Sequence, residues 1–116
     1  SKKGHTIQSN GSIALASAEE LKTTGGNATA SNLVPVTKLA FNSTDNRTLT
    51  LSTTDAVDGQ VKYLVGTVES ASGQFIVQTT NTTLASTLVL QTLGHSAMFM
   101  YDDEIDKWVC LSSHTP

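Results

Sequence analysis

Gly94-His95-Ser96-Ala97-Met98-Phe99-Met100-Tyr101, then Asp102-Asp103-Glu104-Ile105-Asp106, then Lys107-Trp108-Val109-Cys110-Leu111 read in succession as a strand, a turn and a strand. Ala97, Phe99 and Tyr101 alternate with Met98 and Met100, which assigns the two sets to opposite faces of one strand. Trp108 and Cys110 alternate in the same way with Val109 and Leu111 on the return. The five residues between them include four carboxylates, a composition suited to a solvated turn. This stretch holds the chain's single tryptophan. It is built to supply a core and a sheet edge, and it contains no local device for chemistry.

The same alternation extends back along the chain. Arg47–Ser52 places Leu49 and Leu51 inward and Thr48 and Thr50 outward. Gln60–Val68 is the strongest strand, with Gly66 marking a bulge or a close backbone approach. Ser70-Ala71-Ser72-Gly73 reads as a hairpin loop that returns Gln74–Thr79 antiparallel to that strand. Ser86–Thr92 is a further strand. Val34–Phe41 is another, with Pro35 confining its start to an edge or entry position. Ser12–Ala16 and Leu21–Thr24 are short strands, and residues 25–33 are a loop by composition. Strands recur every 10–13 residues from position 47 onward, the spacing of an antiparallel sandwich or barrel. No segment reads as a helix long enough to connect parallel strands, and no exact internal repeat appears, which argues against a solenoid.

The 116 residues fit one domain, read as an N-terminal arm over 1–11 and a single β-domain over 12–116. Eighteen residues are threonine, a β-branched type suited to the outward face of strands. Only 38% of residues are hydrophobic and 5% aromatic. So lean a core suggests apolar surface completed by neighbouring subunits. The expected class is therefore all-β, an antiparallel sandwich or barrel completed in an oligomer. A net charge of −3 argues against a nucleic-acid partner, with Lys2 and Lys3 the one basic exception. No run of 18 apolar residues predicts a membrane helix, so no membrane partner is expected. A start at Ser1 suits a cytosolic product that has lost its initiator methionine. Cys110 has no partner for an internal disulfide and reads as a buried thiol.

Candidate chemistry is sparse. Asp102, Asp103, Glu104 and Asp106 form the best candidate metal cluster, yet the turn lacks the glycine of a calcium loop, and Ile105 interrupts it. A solvated turn is the favoured reading, and no cofactor is expected. His5, His95 and His114 are widely separated and sit in no metal-ligand spacing; His95, at a strand entrance, suits a hydrogen-bonding role. Five Asn-x-Ser/Thr sequons, starting at Asn10, Asn27, Asn42, Asn46 and Asn81, fit Asn and Thr sharing turns. Thr48 and Thr50 give one Thr-x-Thr pair, where an ice-binding face needs a ladder. No nucleophile elbow supports a Ser-His-Asp triad, and the reading is non-enzymatic.

Several spaced pieces resemble a small β-module of tailed-bacteriophage virion proteins. They are Ser12–Ala16, Thr23-Thr24-Gly25, Leu49-Thr50-Leu51, Gly59-Gln60-Val61-Lys62, the Thr-rich stretch from Phe75 to Thr83, Gly94-His95-Ser96 and Lys107-Trp108-Val109. The resemblance covers about 100 of the 116 residues, and the chain departs from the pattern over Asn32–Asn46 and in its acidic terminal turn. It implies a trimeric or otherwise oligomeric structural module of the capsid-decoration, head-fibre or tail-fibre type, with no enzymatic residues to transfer. The expected partners are the major capsid protein or other virion proteins and further copies of the chain, with a trimer favoured. The expected location is the outer capsid surface or tail, after synthesis in the host cytoplasm. Candidate interface residues are Lys2, Lys3, Tyr63, Phe99, Tyr101 and Trp108. The alternative expectation is a receptor- or carbohydrate-binding module of a tail fibre, with Tyr63 and Tyr101 as sugar platforms.

Overall fold

The computed structural model describes residues 5–7, 13–15 and 18–115, with side chains from residue 18 onward. The described chain consists of eleven strands and the turns between them, so the fold is all-β. β1 (His5–Ile7) and β2 (Ile13–Leu15) pair with each other. The body begins at β3 (Ala18–Lys22) and continues through β4 (Ala28–Ala30), β5 (Val36–Phe41), β6 (Asn46–Leu51), β7 (Val61–Glu69) and β8 (Gln74–Val77). β9 (Leu88–Leu90), β10 (Ser96–Asp102) and β11 (Lys107–His114) complete it.

Two sheets hold these strands. One has five strands in the order β11-β10-β7-β5-β3, the other four in the order β4-β6-β8-β9. From β3 to β8 the chain alternates between them, and each return pairs parallel with the strand one circuit earlier. The winding is therefore three coils through two sheets. Within these two sheets the antiparallel expectation holds only for β10 against β7 and β11, and for β8 against β9. Both sheets are mixed and neither closes into a barrel.

The reason lies in the connections. Parallel neighbours need a crossover, usually a helix; here a strand of the opposite sheet supplies it. No exact repeat betrays the coils because their lengths differ. Ala18 pairs with Val36, 18 positions on, whereas Val36 pairs with Tyr63, 27 positions on. The solenoid-like course was thus hidden by unequal turns. Two local expectations fail with it. Ser70–Gly73 is an arch to the other sheet, so β8 pairs with β6 and β9 instead of β7. The loop expected over 25–33 contains β4, whose Ala28 and Ala30 are buried.

Stacked turns fix the coils to one another. Thr23, fully buried, accepts hydrogen bonds at Oγ1 from the Asn42 and Ser43 amides at 3.1 and 2.9 Å. Gly73 N–H donates to Ser43 O at 2.8 Å, and Ser70 and Ala71 N–H both donate to Phe41 O. A Cβ at Gly73 would lie 2.2 Å from Ser43 O and 2.3 Å from Asp45 O, so only glycine lets one arch rest on the next. Gly66 faces the same constraint: its Cβ would meet Phe41 Cε2 at 2.7 Å, and the register of β5 on β7 shifts there, as the sequence suggests.

The two sheets share one core. Leu39, Phe41, Leu64, Phe99, Tyr101 and Trp108 come from the five-stranded sheet; Leu49, Leu51, Phe75, Val77 and Leu90 come from the other. Phe41 meets Phe75 edge-on across the layers at 6.0 Å, and Tyr101 meets Trp108 edge-on at 5.4 Å. The terminal hairpin forms with the expected faces: Ala97, Phe99, Tyr101 and Trp108 inward, Met98, Met100 and Val109 outward. Leu49 and Leu51 also point inward, between Thr48 and Thr50.

Candidate interaction surface

The inward positions leave two outer faces of different chemistry. On the four-stranded sheet the outer side chains include Thr29 beside Thr50, Thr48 beside Ile76, and Asn46 beside Gln74. Asn27 Oδ1 accepts a hydrogen bond from the Thr48 hydroxyl, and Gln74 Nε2 donates to Gln91 Oε1 at 2.5 Å. This is a polar ladder, with Ile76 and Val89 its apolar members.

On the five-stranded sheet direct pairing builds three outer rows. Val61, Met100 and Val109 form one; Ala18, Val36, Tyr63, Met98 and Ser112 form the second; Glu20, Lys38, Val65, Ser96 and His114 form the third. The centre of this face is uncharged. Tyr63 is 36% exposed and, with Val36, Val65 and Met98, lines a shallow apolar groove of about 460 Å³. The two ends of the face are charged: Glu20 and Lys38 pair on neighbouring strands at one, and Asp102 and Lys107 at the other.

The structure separates the sequence candidates. Phe99, Tyr101 and Trp108 are buried inside the chain's own core, with Trp108 Nε1 donating to Ser52 O at 2.9 Å. They hold the hairpin on the core, and Tyr101, 5% exposed, has no ring face to offer a sugar. Its hydroxyl donates to the Asp106 carboxylate, which pushes its pKa up to about 12. Tyr63 does reach solvent. Lys2 and Lys3 lie outside the described residues, as does the 1–11 arm apart from β1. The outward Val36, Val61, Val65, Met98, Met100 and Val109 were not singled out as a surface by sequence. The alternation of Met98 and Met100 with Phe99 was the available signal, but strand pairing was needed to assemble the rows.

The acidic turn gains a partner from elsewhere. Carboxylate oxygens of Asp58, Asp102 and Asp103 lie within 4.8 Å of one another, while Asp106 is engaged by Tyr101. Repulsion from Asp58, more than any other cause, raises the Asp103 pKa. Asp103 N–H also donates to Asp58 Oδ1 at 2.9 Å, so the cluster closes the turn against the 55–59 loop.

Lys62, of the Gly-Gln-x-Lys segment, is 1% exposed and points between the sheets. Its Nζ donates to Ser31 O at 2.5 Å and Val34 O at 2.9 Å, and lies 3.6 Å from Glu19 Oε1. Glu19 Oε1 also accepts from Ser31 N–H and the Thr37 hydroxyl. Burial lowers the Lys62 pKa to about 8, against the opposing pull of Glu19. Gln60 Nε2 donates to Asn32 O at 2.5 Å in the same corner. These groups tie β3, β5 and β7 to the 31–35 turn. His95 is buried, and its Nδ1 accepts from Gln91 N–H at 3.1 Å, the hydrogen-bonding role expected for it. Cys110 is half-buried, where a buried thiol was expected, and this partial burial raises its thiol pKa, away from the thiolate.

The geometry defines a two-sheet, all-β module with one apolar and one polar outer face. No family model matches the chain, and no curated protein matches it. In fold it is similar to a solved chain from a structure of a chaperone–substrate complex, with a TM-score of 0.59 and 24% sequence identity. The alignment covers 95% of this chain and 21% of that one, so this chain spans about a fifth of that chain's length.

Proposed function

We infer that this chain is a structural virion module, a capsid-decoration or head-fibre protein that works by adhesion in a homo-oligomer. The observation that carries the reading is the uncharged centre of the outer face of the five-stranded sheet, with Tyr63 in its middle, on a molecule whose other outer face is mostly polar. Apolar faces of this kind mark association surfaces, and the lean composition supports a core completed between subunits. The resemblance to phage virion modules supplies the context and a trimer as the favoured assembly. The chemistry of the described side chains supports a non-catalytic role. Lys62, Glu19 and His95 are spent on holding turns, and the Asp58–Asp103 cluster closes a loop. Weak contacts multiplied over many copies would give firm attachment.

The second reading is a module within a tail fibre that binds a receptor or carbohydrate. It draws on the similar fold forming about a fifth of a longer solved chain, and on the polar Asn, Gln and Thr ladder. Tyr63 is then the aromatic platform.

Particle binding separates the two. The purified chain is mixed with phage shells lacking it, and copies bound per shell are counted. Saturation at hundreds of copies supports decoration. Absence of shell binding, with retention on a glycan array, supports the fibre reading and overturns the first.

A further inference from the structure

The two ends of the winding differ as much as its two outer faces. At one end three loops meet: residues 31–35 before β5, residues 52–60 before β7, and the 102–106 turn between β10 and β11. Strand pairing sets them side by side, with Val36 beside Tyr63 and Met100 beside Val61. Hydrogen bonds then tie them together. The Gln60 amide bridges two loops: its Nε2 donates to Asn32 O at 2.5 Å, and its Oε1 accepts from Val57 N–H at 3.0 Å. Asn32 Nδ2 also donates to Thr54 O. Asp103 N–H donates to Asp58 Oδ1 at 2.9 Å, and Gly59 N–H donates to Tyr101 O at 2.8 Å, which fastens the third loop.

Each of these loops holds one large apolar side chain in solvent. Leu33, Val57 and Ile105 are all half or more exposed, and none belongs to the core. Among the described residues, Leu93 at the far end is the one other large apolar side chain so exposed. Single exposed apolar residues are ordinary, but three brought together on cross-tied loops make an interaction surface.

Charge states what covers it. Asp55, Asp58, Asp102, Asp103, Glu104 and Asp106 lie on the same loops, six of the chain's ten carboxylates, with Lys107 as their flanking cation. The far end is balanced, Asp45 and Glu69 against Lys22 and Arg47. A second copy of the acidic end, an anionic membrane and a nucleic acid are all repelled from it. Exposed carboxylates gain little from single ion pairs. They steer the approach and select the partner's sign, while the apolar tips supply the contact.

We propose that this end docks on the shell, with Leu33, Val57 and Ile105 seated on a protein surface whose apolar sites are ringed by lysine or arginine. This rests on reading the chain as a capsid-decoration or head-fibre protein, and adds the end that meets the shell and the chemistry it meets.

Binding of the full chain to phage shells lacking it, measured from about 50 mM to about 500 mM salt, tests the proposal. Val57→Ser and Ile105→Ser are each expected to weaken binding by about tenfold or more. Glu104→Lys weakens it at low salt and has less effect at high salt. Leu93→Ser and Thr44→Lys, at the far end, leave it unchanged. Val57→Thr, nearly isosteric, is the second variant should serine disturb the loop, and it too weakens binding. Shell binding indifferent to the Val57 and Ile105 substitutions, lost on Leu93→Ser, or strengthened by salt would overturn this orientation and leave the virion reading. Absence of shell binding by the unaltered chain overturns the virion reading and the docking end with it.

Discussion

The two sheets are alike on the inside and opposite on the outside. Inward, each contributes phenylalanine and leucine to one core, and Phe41 of one touches Phe75 of the other. Outward, the four-stranded sheet presents Thr29, Thr50, Thr48, Asn46 and Gln74, whereas the five-stranded sheet presents Val36, Tyr63, Val65, Met98 and Met100. Folding constrains the inner faces alone. The difference between the outer faces is therefore where function is to be sought: one is mostly polar, the other has an apolar centre.

The largest effects test the likeness of the inner faces. Phe99→Ala and Phe75→Ala, one on each sheet and both fully buried, are each expected to cost about 3–5 kcal/mol in urea unfolding. A cost near zero for either would mean that its sheet does not share the common core.

Lys62 is a fully buried charge on an inner face. Lys62→Met strands the Ser31 and Val34 carbonyls and removes the cation beside Glu19, and is expected to cost about 3 kcal/mol near pH 7. The pH dependence has a definite sign. The native Lys62 pKa is lowered from 10.5 to about 8, so between those values the unfolded chain binds more protons. The penalty for burying the charge is fully present below pH 8 and is relieved as pH rises toward 10.5. The wild type therefore gains stability on Lys62→Met across that window. Parallel urea titrations at pH 7.5 and pH 10 check this; an unchanged difference would show that Lys62 is not desolvated.

Outer-face substitutions sharpen the contrast by their smallness. Met98→Thr and Ile76→Thr, one on each outer face, are each expected to change monomer stability by under about 1 kcal/mol in dilute urea titrations. A larger loss at Met98 would make the apolar face part of the monomer's own packing. The smallest effect belongs to the acidic turn. Repulsion, chiefly from Asp58, raises the Asp103 pKa, so its ionisation disfavours the native state above that pKa and costs nothing at low pH. Asp103→Asn is expected to raise the melting temperature slightly at pH 7, with the gain fading in high salt and near pH 3. A lowered melting temperature at pH 7 would point to a favourable role for that carboxylate.

Much of the strand content was legible because alternation is local. Phe99 between Met98 and Met100, and Leu49 between Thr48 and Thr50, carry their orientation in their neighbours. Val36–Phe41 and Gln60–Val68 were legible too, down to the irregularity at Gly66. The failures were failures of partnership. Ser70–Gly73 has the composition of a hairpin loop, and nothing within it says that its amides will rest on Phe41 and Ser43. Ala28-Thr29-Ala30 is too short and too small-chained to announce a strand, and exists because β6 offers it a parallel edge. Phe99, Tyr101 and Trp108 read both as core and as interface residues, and the core reading is the one their burial bears out.

The sequence by itself determined an all-β chain, the faces of its best strands and the acidic hairpin at its end, because a two-residue period and turn chemistry act over a few positions. Only the tertiary structure decided that the strands wind as coils, which sheet each joins, and that Val36, Tyr63 and Met98 stand in one row. Those outcomes depend on pairing between segments 27 and 35 residues apart, set by stacked turns and a shared core.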